Sequence, residues 1–381
     1  MKNALVASDS NVAKDPRVLK QIRWLIEEGW TVDSLGRGDS PEQGNGTHYQ
    51  MPLRPFPLRV LANLLLPNKA RYRFLVGSGI PDRIHNHTGE PKYDLVIINE
   101  IELLPWYTRR LTTLVRPGTE GHTHLDLHEY SPSQRRGIVF MLAFHRYRHW
   151  LTSFIPSPVF DTRSVVADGI ADLYTQLFSI PKPAVVRNCP DYVDLEPTEV
   201  DPQDIRLAHH GSAASARGLQ SLIQAMKYIE DRFSLHLMLV GSPKVIANLK
   251  RRAKPFGGRV VFHEPVGVNQ VSRALNDFDL EVIFYPPVTE NMRYSLPNKL
   301  FEAIQGRLGL VIGESPEMAA LVSSAGNGII VSGWSGGDLA RTINGLSASQ
   351  VSDMKHHSAQ SAVVLSSQHE KNYFLSALGM R

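Results

Sequence analysis

The sequence predicts an α/β protein of two Rossmann-like, doubly wound domains in tandem. Three observations carry that expectation. Short apolar runs suited to strands buried on both faces alternate with segments of helical period. A proline-punctuated stretch around Pro181, Pro183, Pro190 and Pro197 breaks the alternation, and a second series then begins. At 381 residues, and roughly 100 to 200 residues per domain, each half is long enough to bury its own core.

In the first series, KNALVA (Lys2 to Ala7) reads as a strand, Ser8 to Asn11 as a loop, and Val18, Ile22, Leu25 and Ile26 as the apolar stripe of a helix that Gly29 ends. Thr31 to Leu35 restarts a strand and closes a βαβ unit. Tyr93 to Ile98, His122 to His128 and Ser164 to Ala167 are further strands, with helices at Ile101 to Leu114 and Asp168 to Phe178. In the second series the strands are Ile205 to Ala208, Ser234 to Val240, Arg259 to Phe262, Leu280 to Tyr285, Leu308 to Ile312 and Gly328 to Val331. Helices are expected at Leu219 to Ile229, around Leu275, at Asn298 to Ile304 and at Ser315 to Val322. The domains are expected to span residues 1–190 and 191–365. In such sheets ligands lie beyond the carboxyl ends of the strands, so function is expected where those ends of the two domains face a common cleft.

Composition narrows the classes. Apolar residues make up 42% and charged residues 20%, ordinary globular usage that excludes a chain disordered or fibrous over most of its length. The single cysteine, Cys189, can close no disulfide within the chain, and the apolar run after Met1 is far shorter than a signal peptide's core. A cytoplasmic protein is expected. No window approaches the roughly eighteen apolar residues of a spanning helix. The net charge of +4 comes from the first half, where 23 basic residues stand against 18 acidic ones up to position 190. That suits an anionic partner but is too weak to imply nucleic acid, and no nucleic-acid motif is present. Two segments, Arg54 to Phe74 and Arg135 to Trp150, mix apolar residues with Arg, Lys and aromatics. Each reads either as a peripheral membrane contact of the first domain, at the inner face of the membrane, or as a core-packed element rimmed by arginine stems.

The strongest local signal is the loop and helix start Tyr294-Ser295-Leu296-Pro297-Asn298-Lys299-Leu300-Phe301-Glu302. Ser295 is expected as N-cap, Pro297 near the first turn, and free amides there can bind phosphate. Lys299 and Glu302 share a helix face, which on the plain reading gives only an i, i+3 ion pair. The loop His209-His210-Gly211-Ser212-Ala213-Ala214-Ser215-Ala216-Arg217 offers small residues for close approach and an arginine fork suited to phosphate, or is an ordinary surface loop.

With these residues in hand, the chain resembles the retaining, two-domain glycosyltransferases of the family 4 type, with the GT-B fold. The stretches that carry the resemblance are Gly211 with Arg217-Gly218-Leu219, LMLVG ending at Gly241, VVFHEPV from Val260 and SLPNKLFEAI from Ser295. The first half adds KDPRVLKQIRWLIEEGWTV from Lys14, YDLVIINE from Tyr93, DLHEY from Asp126 and VVRNCPD from Val185. The resemblance implies a hexosyltransferase-class enzyme that moves a sugar from a nucleoside-diphosphate donor to a hydroxyl acceptor on a glycan, a polysaccharide precursor or a lipid-linked sugar. It implies that no metal or other cofactor is required, and that a C-terminal helix, residues 366–381, returns to the first domain.

By position, the resemblance makes Arg217 and Lys299 the basic pair on the donor diphosphate and Glu302 the carboxylate on the ribose hydroxyls. Gly211, Ser212, Gly241, Leu296 and Asn298 would line the donor site, and His263, Pro265 and Val266 lie where the base is held. Asn11, Asp15, Glu129 and the catalytic candidate His128 fall on the acceptor side. A second family glutamate, separated from Glu302 by seven residues, is replaced by Tyr294. Glu290, Asn291 or amides near Ser295 are expected in its place.

Other readings compete. His122, His124, Asp126 and His128 alternate along one strand and are zinc ligands by type, as a metal-dependent hydrolase would need. A nucleotide-sugar epimerase or a non-catalytic binder could share the fold. A nicotinamide dehydrogenase is disfavoured, since no strand-to-helix loop carries G-x-G-x-x-G.

Overall fold

The computed structural model describes residues 2–84, 91–117, 121–133, 138–214 and 218–380. It forms two compact units, Met1–Arg187 together with Lys371–Arg381, and Asn188–Glu370.

The first unit is built on a seven-stranded, fully parallel sheet of β1 (Asn3–Asn11), β2 (Thr31–Arg37), β3 (His48–Gln50), β4 (Leu95–Asn99), β5 (His122–Leu127), β6 (Thr162–Val165) and β7 (Ala184–Val185). Their spatial order is 3-2-1-4-5-6-7. Ala4 to Ala7 and Leu95 to Ile98 have no exposed surface on either face, as apolar strands flanked by helices require. The helix Pro16–Glu27 starts on Asp15, whose Oδ1 accepts the N–H groups of Arg17 (3.1 Å) and Val18 (3.3 Å), and stops where Gly29 takes φ +82°. Its buried Val18, Ile22 and Leu25 meet Phe374, Leu375 and Leu378 of the C-terminal helix Ser367–Ala377. The end of the chain thus completes this unit's core.

The second unit carries six parallel strands, β8 (Ile205–Ser212), β9 (Phe233–Val240), β10 (Val260–His263), β11 (Leu280–Ile283), β12 (Gly309–Gly313) and β13 (Gly328–Val331). Their order is 10-9-8-11-12-13, so the direction of winding reverses between β8 and β11. Both sheets are the doubly wound class read from the sequence. The differences are local. β3 and β7 are edge strands of three and two residues, too short to show a period. The helices Gly336–Asn344 and Ala348–Ser361 were missed, although their capping boxes, Ser335 with Asp338 and Ser347 with Gln350, are legible in the sequence.

Among the described residues no helix is long and apolar enough to cross a membrane. Within Arg54 to Phe74 the helix Phe56–Leu65 buries only Ala62 and Asn63, against the plain reading of a core-packed element, whereas the helix Asn68–Leu75 buries Arg71 and Tyr72 as that reading expects. Arg135, Arg136 and Gly137 of the other basic segment lie outside the described residues.

Candidate functional site

In the second unit the strands at the winding reversal deliver polar residues to one place. Lys299, in the first turn of the helix Asn298–Gln305, is almost fully buried and reaches the end of β8. Its Nζ donates to the His210 carbonyl (2.6 Å) and lies 2.9 Å from His209 Nε2. The other ring nitrogen of His209, Nδ1, is 2.7 Å from the Val282 carbonyl. A carbonyl only accepts, so Nδ1 carries the proton and Nε2 accepts from Lys299. One strand end thereby fixes both the tautomer of the histidine and the position of the lysine.

His210 stands between two carboxylates, with Nε2 2.9 Å from Glu302 Oε2 and Nδ1 3.1 Å from Glu281 Oε2. Burial opposes its charge, but the fully buried Glu281 and the hydrogen bond to Glu302 outweigh that and raise its pKa to about 9. The imidazolium therefore persists at neutral pH and holds Glu302 by a charge-assisted hydrogen bond. Beyond the i, i+3 pairing of the plain reading, Lys299 and Glu302 each turn to β8. Glu302 keeps 18% of its side chain exposed, so it can still meet a ligand.

Gly211 follows at φ +98°, a left-handed conformation that costs a side-chain-bearing residue strain. A Cβ placed there would stand 4.0 Å from Lys299 Cε and Nζ. Lys299, Glu302 and Gly211 are thus brought together, with His209, His210 and Glu281 as partners that the sequence reading did not select. The signal was the polar pair His209-His210 inside an otherwise apolar strand.

The remaining donor-side candidates are more dispersed. Ser212 is exposed, its Oγ accepting from the Ala214 N–H (3.3 Å), and Gly241 packs where a Cβ would come within 2.9 Å of the Ala213 Cβ. Ser295 is not the N-cap; Pro297 takes that position, and the Ser295 hydroxyl donates to the Met292 carbonyl (3.1 Å). Glu290 opens the short helix Glu290–Arg293, and the Tyr294 N–H donates back to the Glu290 carbonyl (3.0 Å). Leu296 packs against the core, and Asn298 Oδ1 accepts from Asn188 (3.0 Å). His263 is stacked on His236 and packed edge-on to Phe278, while Pro265 is exposed and Val266 half-buried. Arg217, with Ser215 and Ala216, lies outside the described residues.

In the first unit Asp126 has no exposed surface. It accepts two bonds from Arg17 (Nε and Nη2, both 2.6 Å), one from Gln21 Nε2 (2.6 Å) and one from Ser164 Oγ (2.6 Å). These donors hold its carboxyl well below the usual carboxylate range despite burial. His128 sits at the edge of this network, Nε2 2.9 Å from Asn99 Oδ1 and 3.4 Å from Asp126 Oδ2. Desolvation disfavours its charge, but Asp126 raises its pKa above the ordinary value. Arg17 and Gln21, missed in the sequence, had a signal: polar residues one turn apart beside the buried Val18, Ile22 and Leu25. Of the acceptor-side candidates, Asp15 is spent on its helix cap, Asn11 ends β1 exposed, and Glu129 is exposed with its carbonyl bonded to the Tyr174 hydroxyl (2.8 Å).

The proposed zinc set does not form. His122 and His124 bond to Thr162 and Ser164 within the sheet, Asp126 is saturated by Arg17, and no metal-competent cluster occurs among the described residues.

Residues 204–349, which contain all six strands of the second sheet, match the family described as glycosyl transferases group 1. That match lies wholly within the second unit and is what the comparison by family establishes. Solved structures resemble the chain along its whole length at low identity, which shows the fold. A sucrose-phosphate synthase from Thermosynechococcus elongatus is 12% identical, with a TM-score of 0.73 over 100% of this chain and 98% of that one. A UDP-forming alpha,alpha-trehalose-phosphate synthase from Burkholderia vietnamiensis is 12% identical, with a TM-score of 0.62 over 100% of both chains. WaaG, a glycosyltransferase involved in lipopolysaccharide biosynthesis, is 14% identical, with a TM-score of 0.61 over 97% of this chain and 99% of that one. No curated protein matches the chain by sequence. The fold is thus the GT-B class, and the Lys299 cluster lies at the topological switch point of the second sheet.

Proposed function

We propose that the protein is a retaining glycosyltransferase that moves a sugar from a nucleoside-diphosphate sugar to a hydroxyl acceptor without a metal ion. The observation that carries this reading is Lys299 Nζ, fixed by His209 and the His210 carbonyl at the end of β8, beside the partly accessible Glu302. As the glycosidic bond breaks, negative charge grows on the leaving diphosphate. A cation already positioned there stabilises the transition state without having to reorganise. Glu302, oriented by protonated His210, is suited to accept hydrogen bonds from the ribose hydroxyls, and Arg217 supplies the second cation. His128, at the edge of the first unit's network, is assigned to the acceptor side. The acceptor is a glycan, a polysaccharide precursor or a lipid-linked sugar.

Since one structural neighbour is UDP-forming, uridine donors are tested first, then guanosine and adenosine donors. Purified protein is expected to be stabilised thermally by one nucleoside diphosphate, and to release that diphosphate from its sugar at an unchanged rate in EDTA. Stabilisation by none of them sinks the donor assignment, and a rate abolished by EDTA and restored by magnesium sinks the metal-free mechanism.

A further inference from the structure

The helix Phe56–Leu65 is inside out for a globular domain. The residues it buries are Ala62 and Asn63, one small and one polar. Its large apolar residues face outward: Phe56 is 74% exposed, Leu61 53%, Leu64 57% and Leu65 69%, and Leu53, Leu58 and Val60 add to the same surface. An amphipathic surface helix normally turns this stripe to the core, as Pro16–Glu27 does with Val18, Ile22 and Leu25. Contiguous exposed apolar surface of this kind marks an interaction site.

The charge around it names the partner. Between Glu42 and Asp82 the sequence has no acidic residue, while it carries Arg54, Arg59, Lys69, Arg71 and Arg73. Arg59, Lys69 and Arg73 are exposed, and the Asn68 amide bonds to the Arg146 carbonyl (3.2 Å), which brings a further exposed arginine alongside. Apolar side chains flanked by exposed arginines and a lysine fit an anionic phospholipid surface. The leucines enter the acyl boundary while the arginines and lysine stay at the phosphates.

We infer that Phe56–Leu65 and its basic flank dock the first unit on an anionic phospholipid bilayer. The inference does not rest on the transfer reaction, and its test reads no turnover. Full-length protein is mixed with vesicles of phosphatidylcholine alone or with phosphatidylglycerol and sedimented. Wild type is expected to bind the anionic vesicles at least about tenfold more tightly than the neutral ones, given about 1 kcal/mol per basic residue near the surface. Leu61→Glu with Leu65→Glu is expected to abolish binding, and Arg59→Glu with Lys69→Glu to remove the preference for phosphatidylglycerol. Both pairs alter exposed side chains, so an unchanged melting temperature verifies the fold. Wild type that stays in the supernatant, or Glu variants that still sediment, overturns the proposal. So does a dimer that the leucine variant splits in the absence of vesicle binding, because the face would then belong to a second copy.

Discussion

Each unit places a cation, a carboxylate and a histidine at the carboxyl side of its parallel sheet, yet the two clusters do different work. In the first, Asp126 is fully buried and four internal donors from Arg17, Gln21 and Ser164 converge on its oxygens. In the second, Glu302 takes its hydrogen bond from His210 and keeps part of its carboxylate toward solvent. The same residue types make a strut where a network is closed and a receptor where it is left open. Residue type and charge alone do not separate the two; the exposure of the carboxylate does.

The comparison is broken most directly by removing the anion of the closed cluster. Asp126→Ala strands the Arg17 guanidinium, which is nearly as buried, and should cost the first unit about 3 to 5 kcal/mol. Urea denaturation followed by tryptophan fluorescence would show it, and a loss below about 1 kcal/mol would mean that water already reaches the pair. Lys299→Ala in the open cluster should have the opposite profile. The orphaned His209 Nε2 and His210 carbonyl cost about 1 to 3 kcal/mol, whereas turnover should fall by about 10² to 10³. A variant that melts early yet turns over normally would make Lys299 a strut like Asp126.

Both halves of this contrast were unequally legible. The sheets were readable because β1, β4 and β12 carry apolar runs buried on both faces, as a parallel sheet covered by helices requires. Lys299, Glu302 and Gly211 were legible as a local motif. Their orientation was not: Lys299 and Glu302 are adjacent on a helix face, and only the tertiary position of β8 shows that each bonds across to a histidine. The zinc reading failed for a related reason. Alternation along β5 correctly put His122, His124 and Asp126 on one face, but period says nothing of neighbouring β6, whose Thr162 and Ser164 consume the imidazoles.

The pH dependence of the open cluster sharpens the comparison by a smaller effect. His210 is raised from 6.5 to about 9 in the folded state. Its contribution is thus fully present below about pH 6.5, declines above it and is lost as pH rises through 9. The amount is on the order of 3 kcal/mol for the second unit. Denaturation between pH 6 and 10 should show this decline in wild type and a flatter profile in His210→Gln. Equal slopes in the two would place the charge elsewhere.

The smallest effect is expected at Gly211. Alanine there must hold φ near +98°, at a strain of about 1 to 2 kcal/mol. Its methyl would sit 4.0 Å from Lys299 Nζ, an ordinary contact that leaves the lysine in place. Stability should therefore fall slightly while the lysine's hydrogen bonds survive. What the methyl does occupy is the space beside Nζ, where a diphosphate oxygen would approach. Gly211→Ala should then weaken nucleoside-diphosphate binding measured by calorimetry by about tenfold, roughly 1.4 kcal/mol. Since the closed cluster is untouched, the first unit's denaturation should not change. If affinity is unaltered while the second unit loses the strain energy, the glycine serves only the turn, and the diphosphate does not pass over β8.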